Sequence, residues 1–479
     1  MPGNEELGLR GNAIGLPRII FFVIAAAAPL TGTLGAIPIA IGFGNGAGVP
    51  AAFLAVGVLL ALFSIGYTRM AMRIRNAGAF YAFIAAGLGS PAGLGAALVA
   101  LLSYSALQIA LYGLFGYFCT LLVGPLLHAD LPWSVFAVAA LAIAHMLGRR
   151  GVEVNGTILG LLMIAETSIV LLLVAAILVG GGGPEGFVFS AFHPARLFDA
   201  GSGIALVFAL ACFVGFEATA IYAEEARDPA RTVPLATYCA VAVISLFFAL
   251  VSWAIVCAYG PAQVQAAAKA DPGAFWFAVS ERKLGGAVTM LMSFLLLAST
   301  FASILAFHNM IARYLYALGR QGIFWARLGH THEMHRSPHV AGAVQSLSAL
   351  AILMPCVLTG ADPYATVFGL GGATGTIGII GLQAMLCLSV IRYFAGDRTQ
   401  SRFATLFAPL LAAFGMGAIL LLAIRNFDVL SGVNSPFVAA LPWLHVMVFA
   451  IGMLLCMAAR HVHPALYGRL TRLVADSRT

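Results

Sequence analysis

Two acidic side chains stand inside long apolar stretches of the chain. Glu166 lies within residues 156–180, and Glu217 lies within residues 201–224. An ionisable group at membrane depth is energetically unfavourable, so it usually faces a cavity or a partner group. Because a carboxyl group in that setting can take up and release a proton, we predict that Glu166 and Glu217 are proton-coupling residues.

Each acid also has an alternative interpretation. Glu217 could accept hydrogen bonds from backbone groups that an interrupted helix leaves free, and would then only stabilise a kink. Glu166 could bind a cationic substrate, or pair with a neighbour such as His308. The sequence alone leaves these alternatives open.

Helix-breaking residues interrupt two apolar stretches: residues 29–38 contain two prolines and two glycines, and residues 212–219 contain Gly215. In a helix interior glycine is unfavourable by about 1 kcal/mol and proline by about 3 kcal/mol, so both stretches favour an interrupted helix. Non-helical backbone at membrane depth persists only where it lines a cavity or is buried in protein. Two such stretches, five spans apart, indicate an inverted-repeat transporter with its site at the midplane. Close helix packing by small residues is the alternative.

Aromatic and amide side chains lie near these stretches. Phe213 and Phe216 flank the second one, and Tyr104 and Gln108 lie one helical turn apart within residues 91–121. We predict that these four residues form a lid and a polar contact at the site. Ordinary packing between helices is the alternative for each.

The composition explains why long apolar helices must position these residues. Of 479 residues, 61% are hydrophobic and 9% are charged, against about 25% charged residues in soluble proteins. This composition excludes a soluble globular enzyme and predicts an all-α polytopic membrane protein. The net charge of +7 comes from dispersed basic residues, so no nucleic-acid partner is expected.

About 20 apolar residues are needed to cross the hydrocarbon core of a bilayer. By that criterion the chain has twelve predicted spans, numbered here 1 to 12: 19–44, 49–71, 91–121, 132–147, 156–180, 201–224, 233–259, 285–318, 340–359, 364–391, 402–424 and 439–459. Residues 19–180 form the first predicted repeat, spans 1–5, and residues 201–391 form the second, spans 6–10. Two extra spans occupy 402–459, between a terminal segment at 1–18 and a tail at 460–479.

Basic residues are distributed unevenly between the joints. With the amino terminus inside, the outer joints hold five of the 25 lysines and arginines, namely Arg196, Lys269, Arg282, Lys283 and Arg425. Because cytoplasmic loops retain an excess of basic residues, both termini are predicted to be cytoplasmic. The apolar stretch that follows residue 18 lacks a cleavage motif, which favours a retained first span over a signal peptide.

Two groups of polar residues follow spans on this inner side. Glu224, Glu225 and Arg227 lie near the inner end of span 6 and are predicted to form a charge network that holds the inward gate. Four histidines follow span 8, at His330, His332, His335 and His339. Their spacing fits a basic loop better than a zinc site, and the seven cysteines are scattered singly, so we expect neither a metal site nor disulfides.

Several segments resemble the amino acid-polyamine-organocation (APC) superfamily of secondary transporters. The segment GFEAT at 215–219 and the segment EEARDPARTVP at 224–234 are similar to its signature. NAGAFY at 76–81 and RYLYALGRQG at 313–322, with Ser337-Pro338 further on, also resemble segments of the superfamily. The resemblance covers about residues 15–395.

The resemblance implies a five-plus-five inverted-repeat (LeuT-like) fold with discontinuous helices 1 and 6, and transport of amino acids. Backbone N–H groups at Thr31, Gly32, Thr33, Leu34 and Gly35 would then bind the substrate carboxylate. Backbone carbonyls around Cys212, Phe213 and Gly215 would bind its ammonium group.

The coupling mechanism is less constrained than the fold. Some relatives carry a lysine in span 5, which this chain lacks, and sodium-coupled relatives place hydroxyl ligands near the positions of Thr300 and Ser303. Proton coupling or exchange is the main prediction, with sodium as the alternative ion and a polyamine or other organic amine as the alternative substrate. We expect a location in the cytoplasmic (inner) membrane, no cofactor, and a monomer or a homodimer.

Other classes of membrane protein fit less well. An embedded enzyme would need a clustered nucleophile, base or metal motif, and neither HExxH nor GxSxG occurs in the sequence. A channel would need a repeated filter, and a receptor usually has seven spans. The sequence therefore predicts a transporter and not an enzyme.

Overall fold

The computed structural model of the protein describes residues 28–74, 79–128, 131–150, 156–217, 219, 228–320, 322–332, 334–335, 337–427 and 435–462. The predicted segment at 1–18, residues 19–27 of span 1 and most of the tail at 460–479 lie outside the described residues. The part of the chain that is described is helical and contains no strand.

Nine helices in the described residues are long and apolar enough to cross a membrane. The first of them, Pro29–Arg73, contains predicted spans 1 and 2, and two shorter apolar helices, Trp133–Arg149 and Ser202–Ala211, correspond to spans 4 and 6. All twelve predicted spans are therefore represented by helices.

The observed bounds agree closely with the predicted ones. The described half of span 1 covers 29–45, and span 2 is Val49–Arg73. Spans 3, 5 and 7 to 12 are, in that order, Ser90–Leu127, Gly156–Val179, Pro229–Tyr259, Gly286–Arg320, His339–Leu358, Pro363–Tyr393, Phe403–Arg425 and Pro436–Val462. Span 12 therefore extends three residues into the predicted tail.

Proline and acidic caps explain where several spans begin. Span 10 begins at Pro363, where the missing N–H of proline leaves no donor unsatisfied. The carboxylate of Asp362 accepts hydrogen bonds from the N–H groups of Tyr364, at 3.0 Å, and Ala365, at 2.5 Å. This cap separates span 10 from span 9 at the joint predicted from Asp362-Pro363.

Spans 3 and 10 lie at the centre of the bundle, and span 12 lies at its edge. Inside the protein, 78% of span 3 is buried, against 22% of span 12. Spans 2 and 7, which occupy equivalent positions in the two predicted repeats, pack closely because Gly57 faces Ser245. A β-carbon at Gly57 would lie 2.1 Å from the hydroxyl oxygen of Ser245, an approach that only a small residue permits.

Three short helices were not predicted from the sequence. Helix Ala79–Leu88 lies between spans 2 and 3. The hydroxyl of Ser389 in span 10 donates a hydrogen bond to the Phe83 carbonyl of this helix at 2.6 Å. Val264–Ala270 and Phe275–Leu284 lie between spans 7 and 8. Helix Val264–Ala270 covers the end of span 1, where the Gln265 amide donates a hydrogen bond to the Gly44 carbonyl at 2.9 Å.

Candidate functional site

The described part of span 1 begins at Ala28, directly before the predicted stretch at 29–38. Ala28 adopts a left-handed conformation with φ 43°, which is uncommon for any residue other than glycine. A helix begins directly after it at Pro29 and continues through π-helical turns at Gly32–Ala36 and Ala40–Asn45. The backbone at Gly32–Gly35 is therefore helical, and the break predicted at these residues is not found there.

Span 6 is interrupted where the sequence predicted it. Helix Ser202–Ala211 ends at Cys212, and the chain then turns through Gly215, whose φ of 108° strongly favours glycine. The carboxylate of Glu217 accepts a hydrogen bond from the Gly215 N–H at 2.9 Å. The hydroxyl of Tyr67 in span 2 donates to the Glu217 carbonyl at 2.6 Å. The side chains and the backbone thus satisfy one another's hydrogen-bonding groups within the turn.

The start of the helix at Pro29 and the turn in span 6 meet in the middle of the bundle. A β-carbon built on Gly32 would lie 3.3 Å from the Cys212 sulfur and 2.7 Å from the ring of Phe248. The start of one half-helix therefore lies beside the end of the other. A helix start carries partial positive charge and a helix end carries partial negative charge, so both poles face the same space.

A cavity of about 100 Å³ occupies this space. Spans 1, 3, 6, 8 and 10 line it through Ala28, Thr31, Gly32, Ala36, Leu107, Ala110, Leu111, Phe208, Ala211, Cys212, Val214, Ser303, Phe307, Phe368 and Gly372. The polar side chains in this set are Thr31, Cys212 and Ser303, and the described lining contains no charged side chain. The cavity walls are therefore largely apolar.

The span 1 residues that were predicted to bind the substrate through their backbone lie on two sides of the helix. Thr31 and Gly32 line the cavity. The Thr33 hydroxyl instead donates to the Pro29 carbonyl at 2.7 Å. The carbonyls of Leu34 and Gly35 accept hydrogen bonds from the hydroxyl of Tyr364 in span 10, at 3.0 and 2.8 Å. A carboxylate-binding role for the backbone N–H groups at 33–35 stays a prediction.

Tyr104 and Gln108 of span 3 lie behind the cavity wall. The ring of Tyr104 contacts Phe307, which does line the cavity, at a centroid distance of 6.2 Å. Gln108 is fully buried and accepts a hydrogen bond from the Gln345 amide of span 9, while its own amide lies 3.2 Å from the Tyr112 hydroxyl. These hydrogen bonds connect scaffold helices, and a substrate contact for Gln108 stays a prediction.

The predicted residues of span 6 are also divided. Cys212 and Val214 line the cavity, whereas Phe213 and Phe216 are fully buried outside it. The ring of Phe216 packs edge-on against Phe63 of span 2, with the centroids 5.9 Å apart. A lid role for Phe213 and Phe216 stays a prediction, and their observed contacts are packing contacts.

Glu166 lies where spans 1, 5 and 8 meet. Its carboxylate accepts a hydrogen bond from the Ser299 hydroxyl at 2.9 Å and another from the Leu30 N–H at the start of the half-helix. The Ser299 hydroxyl lies 3.0 Å from the hydroxyl of Thr31. Glu166 therefore connects to a residue of the cavity wall through one intervening hydroxyl.

His308 is not the partner of Glu166. It lies beside His145 of span 4, with the ring centroids 6.2 Å apart, and forms a side-chain hydrogen bond with Gln345. The sequence pointed to Thr300 and Ser303 in span 8 but missed Ser299, which provides the direct contact. The predicted gate residues Glu224, Glu225 and Arg227 lie outside the described residues.

Comparison with known proteins places this architecture in a family. The model of a family described as "Amino acid permease" matches residues 14–454. The chain belongs to this amino acid permease family. The permease is therefore a secondary transporter of the APC superfamily and not an enzyme, and it is a multi-pass membrane protein. No curated protein matches it significantly.

Solved structures similar to the permease support the same fold. Two crystal structures of the manganese transporter of Eremococcus coleocola, one of the H236A mutant and one with an aromatic bis-isothiourea compound, superpose with TM-scores of 0.57 and 0.58. The sequence identities are 11% and 12%, and each alignment covers 100% of this chain and 97% of the other. At this identity the likeness concerns the fold, and the predicted LeuT-like fold class is confirmed.

Proposed function

We propose that this permease transports small neutral amino acids by alternating access, coupled to protons through Glu166. The observation that carries the proposal is the cavity at which the half-helix beginning at Pro29 meets the half-helix ending at Ala211. The first provides partial positive charge and the second partial negative charge. A zwitterionic amino acid matches this pair of poles with its carboxylate and ammonium groups.

The cavity walls favour a small apolar substrate side chain. Leu107, Leu111, Phe307 and Phe368 supply hydrocarbon and aromatic surface from three spans. A cationic side chain or a polyamine would need an acidic partner, and the part of the lining that the structure describes offers none. Both buried acids lie outside that lining, so a neutral amino acid fits better than the alternative amine substrate.

The coupling proposal depends on the chain of hydrogen bonds from the cavity to Glu166. Thr31 lines the cavity, its hydroxyl contacts Ser299, and Ser299 donates to Glu166. A change in the protonation of Glu166 alters which hydroxyls can donate, and it alters the charge beside the start of the half-helix. Substrate binding and proton binding are thereby coupled through span 1.

A proton suits this hydroxyl cluster better than a sodium ion. The oxygens of Thr31, Ser299 and Glu166 lie at direct hydrogen-bond distances of 3.0 and 2.9 Å from one another. The Thr300 hydroxyl donates to its own helix, at the Leu296 carbonyl 2.8 Å away. Oxygens that are already bonded to one another and to backbone would have to separate before they could surround a cation.

The two similar structures are named as those of a manganese transporter. A divalent metal substrate is not favoured for this permease. Such ions need several carboxylate, imidazole or thiolate ligands. Among the described residues, no group of three or more His, Cys, Asp or Glu side chains is arranged to hold a metal ion.

We also propose, from the charge bias of the joints, that the permease lies in the cytoplasmic membrane with both termini inside.

Uptake into proteoliposomes tests the substrate class. Labelled alanine, valine, phenylalanine, lysine, glutamate and putrescine would each be supplied with an inward proton gradient, an inward sodium gradient or no gradient. We expect saturable uptake of the small neutral amino acids that rises with the proton gradient. Preferred uptake of lysine or putrescine, or a dependence on sodium, would contradict the proposal.

A matched pair of variants in span 8 tests whether this cavity selects the substrate. Phe307 lines the cavity, whereas Phe301 packs against Phe115 with the ring centroids 6.0 Å apart and does not line it. In Phe307→Ala the preference should move toward larger side chains by about tenfold, since pocket size discriminates by about 1–3 kcal/mol per methylene. In Phe301→Ala the preference should stay unchanged. The same shift in both variants would show that the cavity does not select the substrate.

A further inference from the structure

A second, polar pocket lies away from the central cavity, at the ends of spans 4, 8 and 9. Its volume is about 260 Å³. Six basic or imidazole side chains line it, His145, Arg149, His308, Arg313, His335 and His339. It shares no lining residue with the central cavity, because Ser303 and Phe307 face the cavity while His308 and Ala312 face this pocket.

The charge of this pocket is positive. Arg149 and Arg313 are exposed at its rim, and arginine stays protonated throughout the physiological pH range. No acidic side chain is among the described residues that line it. Two guanidinium groups around one concave space form a site suited to an anion with several oxygens.

The backbone adds to this positive potential. Span 9 is a 20-residue helix that begins at His339, and Pro338, His339 and Gly342 of its first turn line the pocket. No side chain caps this helix start. The N–H groups of the first turn and the helix dipole therefore favour a negative charge in the same space.

Two histidines that line this pocket each have one ring nitrogen without a hydrogen-bond partner. The Nδ1 atoms of His308 and His339 are buried and unpaired, and the side chain of His308 is 1% exposed. A buried polar atom without a partner is unfavourable unless a ligand or water satisfies it. Gly148 of span 4 packs closely against His308, since a β-carbon at Gly148 would lie 2.5 Å from the imidazole.

The pocket borders the surface that faces lipid. Met146 of span 4 and Leu347 of span 9 are 55% and 66% exposed next to it, as expected for side chains in contact with a bilayer. The charge bias of the joints assigns this end of the bundle to the cytoplasmic side. Basic pockets between membrane helices on that side suit the head groups of anionic lipids.

We propose that this pocket binds a phosphate group, carried by an anionic membrane lipid or by a soluble phosphate compound. Arg149 and Arg313 would hold the phosphate oxygens, and the start of span 9 would donate further hydrogen bonds. A bound phosphate group would join spans 4, 8 and 9. This site is independent of the proposed substrate and coupling mechanism.

Thermal unfolding of the purified, delipidated full chain in detergent tests the proposal. The probes are dioctanoyl phosphatidylglycerol, dioctanoyl phosphatidylcholine, glycerol 3-phosphate and inorganic phosphate, each titrated to give an apparent dissociation constant. We expect phosphatidylglycerol to raise the unfolding temperature and to bind about tenfold more tightly than phosphatidylcholine. Equal stabilisation by glycerol 3-phosphate would support a soluble source, and stabilisation by the lipid alone would support a membrane source.

Variants at the rim decide whether this pocket is responsible. In Arg149→Gln and in Arg313→Gln the affinity for the stabilising probe should fall about tenfold, because each removes charge-assisted hydrogen bonds. Both residues are exposed, so the fold should persist. Arg320→Gln is the matched control, since Arg320 is an exposed arginine that ends span 8 and stacks on Tyr316 outside the pocket. Absence of stabilisation by every probe, or equal affinity in all three variants and wild type, would overturn the proposal.

Discussion

The two buried carboxyl groups near the interrupted helices are held in different ways. Glu217 bonds within its own turn, to the Gly215 N–H two residues away. Glu166 instead connects three spans, through Ser299 of span 8 and the start of span 1. Burial of an acid is therefore not informative by itself. Its partners indicate whether it stabilises a local turn or joins elements that move relative to one another.

From this comparison we propose the coupling role for Glu166 and a structural role for Glu217. Both residues were predicted from sequence as proton-coupling groups, and for both this remains a proposal to be tested. The alternative in which Glu217 satisfies backbone groups freed by the break matches its observed contacts. Variants that separate transport from stability can break or sharpen the distinction.

The largest effect is expected for Glu166→Gln. The amide keeps the shape of the side chain and can still accept from Ser299, but it cannot exchange a proton. Accumulation of substrate driven by a proton gradient should fall by about tenfold or more, while exchange of internal for external substrate persists. Proteoliposome uptake with and without the gradient measures both. Undiminished gradient-driven accumulation would transfer the coupling role to another group.

A change in stability is expected for Glu217→Ala. This variant leaves the partly buried Gly215 N–H without its acceptor, which should lower the free energy of unfolding by about 1–3 kcal/mol. The unfolding temperature of the purified permease measures this effect. Glu217→Gln is the matched control because its amide oxygen can still accept the hydrogen bond. Normal stability in Glu217→Ala with loss of proton coupling would reverse the assignment.

A loss of stability of similar size is expected for Gly215→Ala. A side chain at φ 108° is strained by about 1–3 kcal/mol. The substitution should lower the unfolding temperature without changing the dependence of uptake on pH. Gly417→Ala in span 11 is the control, because nothing lies within 4 Å of a β-carbon built there. Equal behaviour of the two variants would show that the turn at Gly215 is not a constrained element.

The smallest effect is expected for an exposed acid, Asp397→Asn. Hydrogen bonds from the Thr399 side chain and backbone, and the Arg73 guanidinium 3.2 Å away, lower the pKa of Asp397. A lowered pKa in the folded state stabilises the protein above the ordinary pKa of the group, and this contribution disappears as the pH falls into the acidic range. At neutral pH Asp397→Asn should leave gradient-driven uptake unchanged. A loss of coupling here would show that the assay reports on charge in general.

Long helices could be predicted from the sequence because the thickness of a bilayer fixes their length. Residues 49–71 were predicted and Val49–Arg73 is observed, and residues 364–391 correspond to Pro363–Tyr393. The helices Ala79–Leu88 and Phe275–Leu284 were missed since each has ten residues, too few for the length criterion. Their positions depend on packing against spans that are distant in sequence.

The interruptions were only partly predictable. Gly215 marks a true turn because its positive φ favours glycine. In span 1 the glycines and Pro38 are accommodated within helical turns, and the left-handed residue is Ala28, which has no sequence signal. Proline at position 29 begins a helix instead of breaking one, as its missing N–H allows.

Contacts between remote residues could not be predicted. Gln108 and Gln345 are 237 residues apart, and Ser299 and Glu166 are 133 residues apart. A single sequence shows only which residues share a helix face, so it indicated Tyr104 and Gln108 but not Leu107 and Leu111, which line the cavity on that span. The histidines after span 8 showed no metal spacing, and the arginines that complete their pocket come from other segments.

The central claim is that Glu166 carries the proton that moves with the substrate. A pH-sensitive dye sealed inside proteoliposomes reports proton entry when a small neutral amino acid is added outside. We predict acidification of the lumen for wild type and for Glu217→Gln, and none for Glu166→Gln although it still exchanges labelled substrate. Acidification by Glu166→Gln at the wild-type rate would contradict the account.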